Sequence, residues 1–183
     1  MGYFSNIYLS NFRNFEIFSN EFSKHINVFF GKNGSGKTNI LEAISLFSKG
    51  RGLKKDKISN IIKYNQNKFI IKSSFKNEDI VYNLQVETTE KNKIVKKKLT
   101  INNDNSRESL DQFYKQIPFL FFLPETERLF IASPSKRRDF IDRFIFTHNN
   151  NYNKSINQYN KSILERAKLL TNESYDSSWL NRI

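Results

Sequence analysis

An α/β fold is what this sequence predicts: a mixed sheet around one central helix, further antiparallel strands, and then the start of a helical second lobe. Three observations carry the prediction. A continuous apolar run, residues 26–30, meets a glycine-rich turn and then a helical spacing of apolar residues at Ile40, Leu41, Ile44 and Phe47. Three strand-like runs, 69–75, 80–89 and 94–101, follow one another with short polar links. Beyond residue 133 the apolar period is three to four rather than two.

Taken in order, residues 3–18 read as two short strands joined near Asn11 to Asn14. The run 26–30 is apolar at nearly every position, which predicts a buried central strand. The helix that follows starts at Lys37, carries Leu46 on its flank, and should end at Gly50 and Gly52. The three later runs predict an antiparallel meander, with Lys96, Lys97 and Lys98 on an edge or exposed strand. Residues 108–117 look helical. Residues 119–123, between Pro118 and Pro124, predict a second buried strand. Ser133 can cap a helix whose first position is Pro134 and whose stripe is Phe140, Ile141, Phe144 and Ile145. After a polar break at 148–153, Tyr152, Ile156, Tyr159, Ile163, Leu164 and Leu170 predict a helix of roughly 20 residues, about 30 Å long. Residues 177–183 begin one more.

Composition narrows the chemistry. The 183 residues suffice for one domain or a domain and a half. Cysteine is absent, which excludes disulfides and thiolate metal sites, and His25 and His148 are too few for a zinc cluster. No apolar run reaches the ~20 residues a bilayer span needs. The first residues lack the pattern of a signal peptide, and Asn6 stands where a myristoylation site wants Ser or Thr. The expectation is a soluble cytoplasmic protein. The net charge of +12 favours polyanion partners, nucleic acid above all. The chain also holds 24 Asn, 21 Lys and 20 Ile, a bias typical of AT-rich coding, so the global charge weighs little on its own.

Gly31, Gly36, Lys37 and Thr38 match the phosphate-loop pattern G-x-x-x-x-G-K-[ST], with Lys32, Asn33, Gly34 and Ser35 between them. Glycines let several amides turn inward toward phosphate oxygens. Lys37 reaches the β- and γ-phosphates, the Thr38 hydroxyl ligates Mg²⁺, and the helix that starts here aims its positive end at the anion. The expected cofactors are ATP and Mg²⁺. A hydrolytic site also needs an apolar strand ending in an acid. Residues 119–125 come nearest, but Pro124 displaces Glu125, and no serine-glycine signature of the ATP-cassette type occurs. No catalytic residue is assigned.

The loop stands in the wider stretch GKNGSGKTN, followed by ILEAISLFSKGRGLKK and preceded by LSNFRNFE. Asn33, Asn39 and that opening resemble ATPases related to the SMC proteins. The stretch LEAISLFSKGRGLK is similar to the bacterial RecF family, as are FLPETERLFIASPSKRRDFIDRFIF, YNKSILERAKLL and the terminal WLNRI. The likeness runs from Ile7 to Ile183. One departure is Ala167, where the family usually has Asn. RecF proteins are about twice this long. The resemblance therefore implies the N-terminal part of an ABC-type ATPase head over residues 1–124 and the start of a helical lobe over 125–183. The acidic Mg²⁺ strand and signature segment belong to the half missing here. It further implies ATP-dependent dimerisation, slow hydrolysis, and binding of single- and double-stranded DNA without sequence specificity. A role in replication and in repair of DNA damage within the SOS response is also implied, with recombination mediator proteins as partners in loading recombinase at gaps. By the same resemblance Arg13 joins Gly31 to Thr38 in holding nucleotide.

Basic residues cluster three times: Lys49, Arg51, Lys54, Lys55 and Lys57; then residues 91–98; then Lys136, Arg137, Arg138 and Arg143. Such groups would hold DNA phosphates, with binding that falls as salt rises. Arg51, Lys54, Lys55, Lys57, Arg137 and Arg138 are the DNA candidates, although Arg137 and Arg138 could equally face internal carboxylates. A lysine run is often only a solvated surface. Most aromatic residues fall on periodic core positions; Phe12 and Phe15, beside Arg13, are the two that could stack on bases. Two other readings compete: an SMC-like ATPase carrying a nuclease, and a passive basic DNA-binding fragment with a vestigial loop.

Overall fold

A computed structural model of the chain describes residues 2–78, 80–91, 94–123, 131, 133–149 and 151–171. They fall into two compact units, divided between Phe121 and Phe122.

The first unit is a six-stranded antiparallel sheet in the order β3-β2-β4-β5-β6, with β1 also pairing β4. The strands are β1 (Tyr3–Phe4), β2 (Asn6–Phe12), β3 (Phe15–Glu21), β4 (Ile70–Asn77), β5 (Ile80–Lys91) and β6 (Ile94–Ile101). A tight hairpin joins β2 to β3, closed by the pair Phe12 and Phe15, with Arg13 and Asn14 at its tip. Period-two alternation decides which face is buried. Ile7, Leu9, Ile71, Phe75, Leu84, Val86, Leu99 and Ile101 all point to one side and are buried. Against that side lie α1 (Lys37–Ser45), a 3-10 turn (Ile58–Ile61) and α2 (Arg107–Gln116). They contribute Ala43, Ile61 and Phe113 to the core, and Leu46 and Phe47 follow from the turn after α1. Each such Leu, Ile, Val or Phe side chain stabilises the fold by about 1.5–3 kcal/mol, and Ala43 by less. Aromatic geometry adds to this, as in the edge-on contact of Phe12 with Phe69 at 5.5 Å.

The second unit holds α3 (Pro134–His148) and α4 (Tyr152–Thr171), which pack on each other. The Tyr152 hydroxyl donates to Asp142 Oδ1 at 2.7 Å and ties the start of α4 to α3. None of the described helices is long and apolar enough to cross a membrane.

The meander, the first hairpin and all four long helices within the described residues match the sequence reading, and four local expectations do not. Residues 26–30 join no ladder; Ile26, Val28 and Phe30 are 82%, 77% and 92% exposed. An apolar run becomes a buried strand only when other strands flank it, and every described ladder lies elsewhere. Residues 119–123 likewise follow α2 as irregular chain. The helix after the glycine turn ends at Ser45, with Leu46 as its cap residue, well before Gly50 and Gly52. Ser133 stands at the N-cap of α3 but makes no capping bond; its hydroxyl pairs with that of Ser135 at 3.0 Å. Glu125 and residues 177–183 lie outside the described residues.

Candidate functional site: the glycine loop and its buttress

Residues 31–36 carry the chain from the exposed run 26–30 into α1. Gly34 has φ +83 and Gly36 φ +98, backbone that L side chains rarely adopt. Gly36 is also hemmed in. A Cβ there would stand 2.4 Å from Phe15 Cζ and 2.9 Å from Asn14 Nδ2, so only glycine lets the β2–β3 hairpin close on the loop. The Lys37 ammonium donates to the carbonyls of Gly31 and Lys32, each at 2.8 Å, and so draws the two ends of the loop together. The first turn of α1 contains no acid and no side chain caps it. Its N-terminal amides and the positive end of its dipole are thus left for an outside anion. Thr38 is exposed at the helix start. Beside the loop opens a cavity of about 390 Å³ whose walls include Phe15, Phe18, Val28, Ser35 and Lys37. Glycine angles, ammonium and uncapped helix together suit a phosphate chain. The residues that could hold it are Gly31, Lys32, Asn33, Gly34, Ser35, Gly36, Lys37 and Thr38, with the Thr38 hydroxyl as a ligand for Mg²⁺.

Behind the loop stands a network that the sequence does not announce. Glu42, on α1, is 1% exposed. Arg13 grips it with two prongs, Nε to Oε2 at 2.9 Å and Nη2 to Oε1 at 2.6 Å. The same guanidinium donates to Asp56 and to the Asn60 carbonyl, the latter at 3.1 Å. Lys54 completes the cage, 3.3 Å from Glu42 Oε2 and 3.2 Å from Asn39 Oδ1. Asn39 in turn donates to Asn14 Oδ1 at 2.8 Å. Hydrogen bonds to Glu42, outweighing the effect of burial, raise the pKa of Arg13 above its ordinary value, and Arg13 lowers that of Asp56. Arg13 itself has φ +52, an unfavourable angle for a residue with a long side chain, which this set of bonds holds in place.

The structure therefore places Arg13 next to the loop but with its guanidinium directed at Glu42, Asp56 and Asn60. Of the DNA candidates, Lys54 is drawn into the same cage. Lys55 is exposed, and Arg51 and Lys57 line a separate groove with Lys96 and Lys97. Arg137 and Arg138 sit on α3 in the other unit, where Arg138 Nε donates to its own helix at Pro134 O, 3.4 Å away. Phe12 is core and touches Phe69, while Phe15 supports the loop. Lys97 departs from the sequence reading. It lies on the core side of β6, where its ammonium donates to the carbonyls of Leu46 and Ser48, both at 2.8 Å, just past the end of α1. Burial pulls its pKa down to about 8. A signal for this existed: Lys97 shares the parity of the buried Leu99 and Ile101. Glu42 gave a weaker one, four residues before the buried Leu46.

Known proteins resemble the chain over nearly all of its length. The family model described as AAA domain matches residues 6–182. The DNA replication and repair protein RecF of Rickettsia felis is 31% identical over 175 residues, covering 96% of this chain and 47% of that protein. RecF of Thermoanaerobacter pseudethanolicus is 33% identical over 170 residues, covering 92% of this chain and 45% of that protein. Among solved structures, the recombination mediator protein RecF-ATPrS in the RecFOR pathway superimposes with a TM-score of 0.71 at 30% identity, over 93% of this chain and 45% of that one. The RecF-ATP structure gives 0.69 at 29% identity, over 96% and 48%. The chain spans about half the length of the relatives it matches.

Proposed function

Since the chain belongs to the AAA domain family, we propose that it is an ATP- and DNA-binding module with a RecF-like role in recombinational DNA repair and replication. Bound ATP acts as a switch for dimerisation rather than as fuel for processive motion. The loop that draws Lys37 over the carbonyls of Gly31 and Lys32 at the uncapped start of α1 is the observation that carries this reading. When bound, Mg²⁺ neutralises charge between the phosphates, and Thr38 would hold it. The lysine would exchange its carbonyl partners for phosphate oxygens, and the amides of residues 34–38 would supply the remaining contacts. The relatives' names supply the repair context and the RecFOR pathway. Binding of single- and double-stranded DNA, partnership with recombination mediator proteins, action in the SOS response and a cytoplasmic location belong to the same proposal. So does the division into a head over 1–124 and a helical lobe from 125. Turnover is assigned to no residue of this chain.

The test is the affinity of the chain for Mg²⁺-ATP by calorimetry, beside that of Lys37→Ala. The substitution is expected to weaken binding by tenfold or more, because a hydrogen bond to a charged group is worth about 1.5–3 kcal/mol. Equal affinities would remove the site. DNA binding that ignores ATP, in a chain that takes up no nucleotide, would favour the passive-fragment reading. An associated nuclease would need a metal cluster, and among the described residues no group of three or more His, Asp or Glu could hold one.

A further inference from the structure

Two basic clusters that lie some forty residues apart in the sequence meet in the fold. β6 is the last strand of the sheet, and its outer edge faces the segment 50–59 that follows α1. Between them runs a groove of about 610 Å³. Arg51, Lys57 and Lys96 stand at its rim, all exposed, and Ile58 and Ile94 form part of its apolar wall. Lys97 lies at its inner side. Two of the three N–H groups of that ammonium are spent on Leu46 O and Ser48 O, which leaves a third. No acidic side chain is among the described residues that line the groove. Asp56, on the neighbouring loop, is engaged with Arg13, and Glu87, on β5, pairs with Lys98. Four cations around a trough with no acid of its own concentrate positive potential there.

We infer that this groove seats the phosphodiester backbone of DNA, with Arg51, Lys57 and Lys96 contacting phosphates from the rim and Lys97 from within. The inference rests on the DNA-binding reading above and revises its residue set. Lys54, bound to Glu42 and Asn39, is taken out, and Lys96 and Lys97 come in. Phosphate contacts of this kind fix position and not sequence. Lys97 also joins the groove to the end of α1 whose other end carries the glycine loop, so both phosphate sites bear on one helix.

The experiment is a fluorescence-anisotropy titration of labelled single-stranded and duplex DNA at several salt concentrations. It compares the intact chain with Arg51→Ala, Lys57→Ala and Lys96→Ala. Lys76→Ala, an equal charge loss on an exposed position of β4 outside the groove, is the reference. Each rim variant is expected to reduce the slope of log K against log salt by about one and to weaken binding about threefold or more. Lys76→Ala should leave the slope in place, and Lys57→Arg should restore it. Equal effects at Lys76 and at the rim would overturn the groove in favour of diffuse charge. Loss confined to Arg137→Ala or Arg138→Ala would overturn it while the DNA-binding reading stands. Absence of salt-dependent binding in the unaltered chain would instead remove that reading, and the groove with it.

Discussion

Glu42 is the residue on which the site's mechanics converge. A carboxylate with 1% exposure costs several kcal/mol to desolvate unless it is paired, and Arg13 and Lys54 supply the pairing. Removing one partner of a buried pair typically costs 3–5 kcal/mol. Arg13 keeps 18% exposure, so water softens the loss, and Arg13→Ala is expected to cost about 2–4 kcal/mol in urea unfolding. Adding Glu42→Gln should recover part of that, because the uncompensated charge disappears with it. Additive losses in the double variant would show that the two residues do not work as a pair. Gly36 yields a second expectation. Gly36→Ala puts a methyl against Phe15 and forces alanine to φ +98, so it should lower both thermal stability and Mg²⁺-ATP affinity. An unchanged melting temperature would mean that the hairpin tip does not press on the loop.

At the scale of elements, charges sit where local geometry holds them. Asp104 accepts from the Ser106 amide at 2.8 Å, from the Ser106 hydroxyl at 2.7 Å and from the Ser109 hydroxyl, at the start of α2. These bonds, that to Ser109 first, hold its pKa at about 2. A depressed carboxylate stabilises the fold above its unfolded value of about 3.9 and loses that contribution as pH falls toward 2. Asp104→Asn should therefore narrow its deficit against the unaltered chain between pH 4 and 2, read from melting temperatures. Lys97 on β6 has the opposite sign. Its folded pKa of about 8 lies below the unfolded value of about 10.4, so the folded state bears the cost of a buried charge below pH 8 and sheds it as pH rises toward 10.4. A neutral amine keeps two N–H donors, enough for Leu46 O and Ser48 O. Relative to Lys97→Met, the unaltered chain should gain stability between pH 8 and 10; a flat difference would contradict the burial. The elements themselves were legible wherever alternation or a 3.6 period was strong, as in β5 and α4. The helix end at Ser45 was not, because the turn at residues 46–48 closes with 3-10-type bonds and needs no glycine.

For the molecule as a whole, the loop motif could be read from the sequence, but its buttress could not. The cage of Arg13, Glu42, Lys54 and Asp56 joins residues up to 43 positions apart, and only the folded chain brings them together. The apolar run 26–30 misleads for the reverse reason. Its composition answers to flanking strands, and the described sheet places none beside it. Ile26, Val28 and Phe30 should make the isolated chain bind a hydrophobic dye such as ANS in its folded state. Val28→Ser with Phe30→Ser should lower that fluorescence and leave the melting temperature close to its starting value. A large drop in melting temperature would mean the run is packed after all.

The contact of Phe15 and Asn14 with Gly36 carries one more consequence. The amino-terminal hairpin serves as the back wall against which the glycine turn rests. A polypeptide trimmed to begin at Phe22 would keep residues 31–38 of the glycine turn and lose Asn14 and Phe15, the surface against which that turn rests.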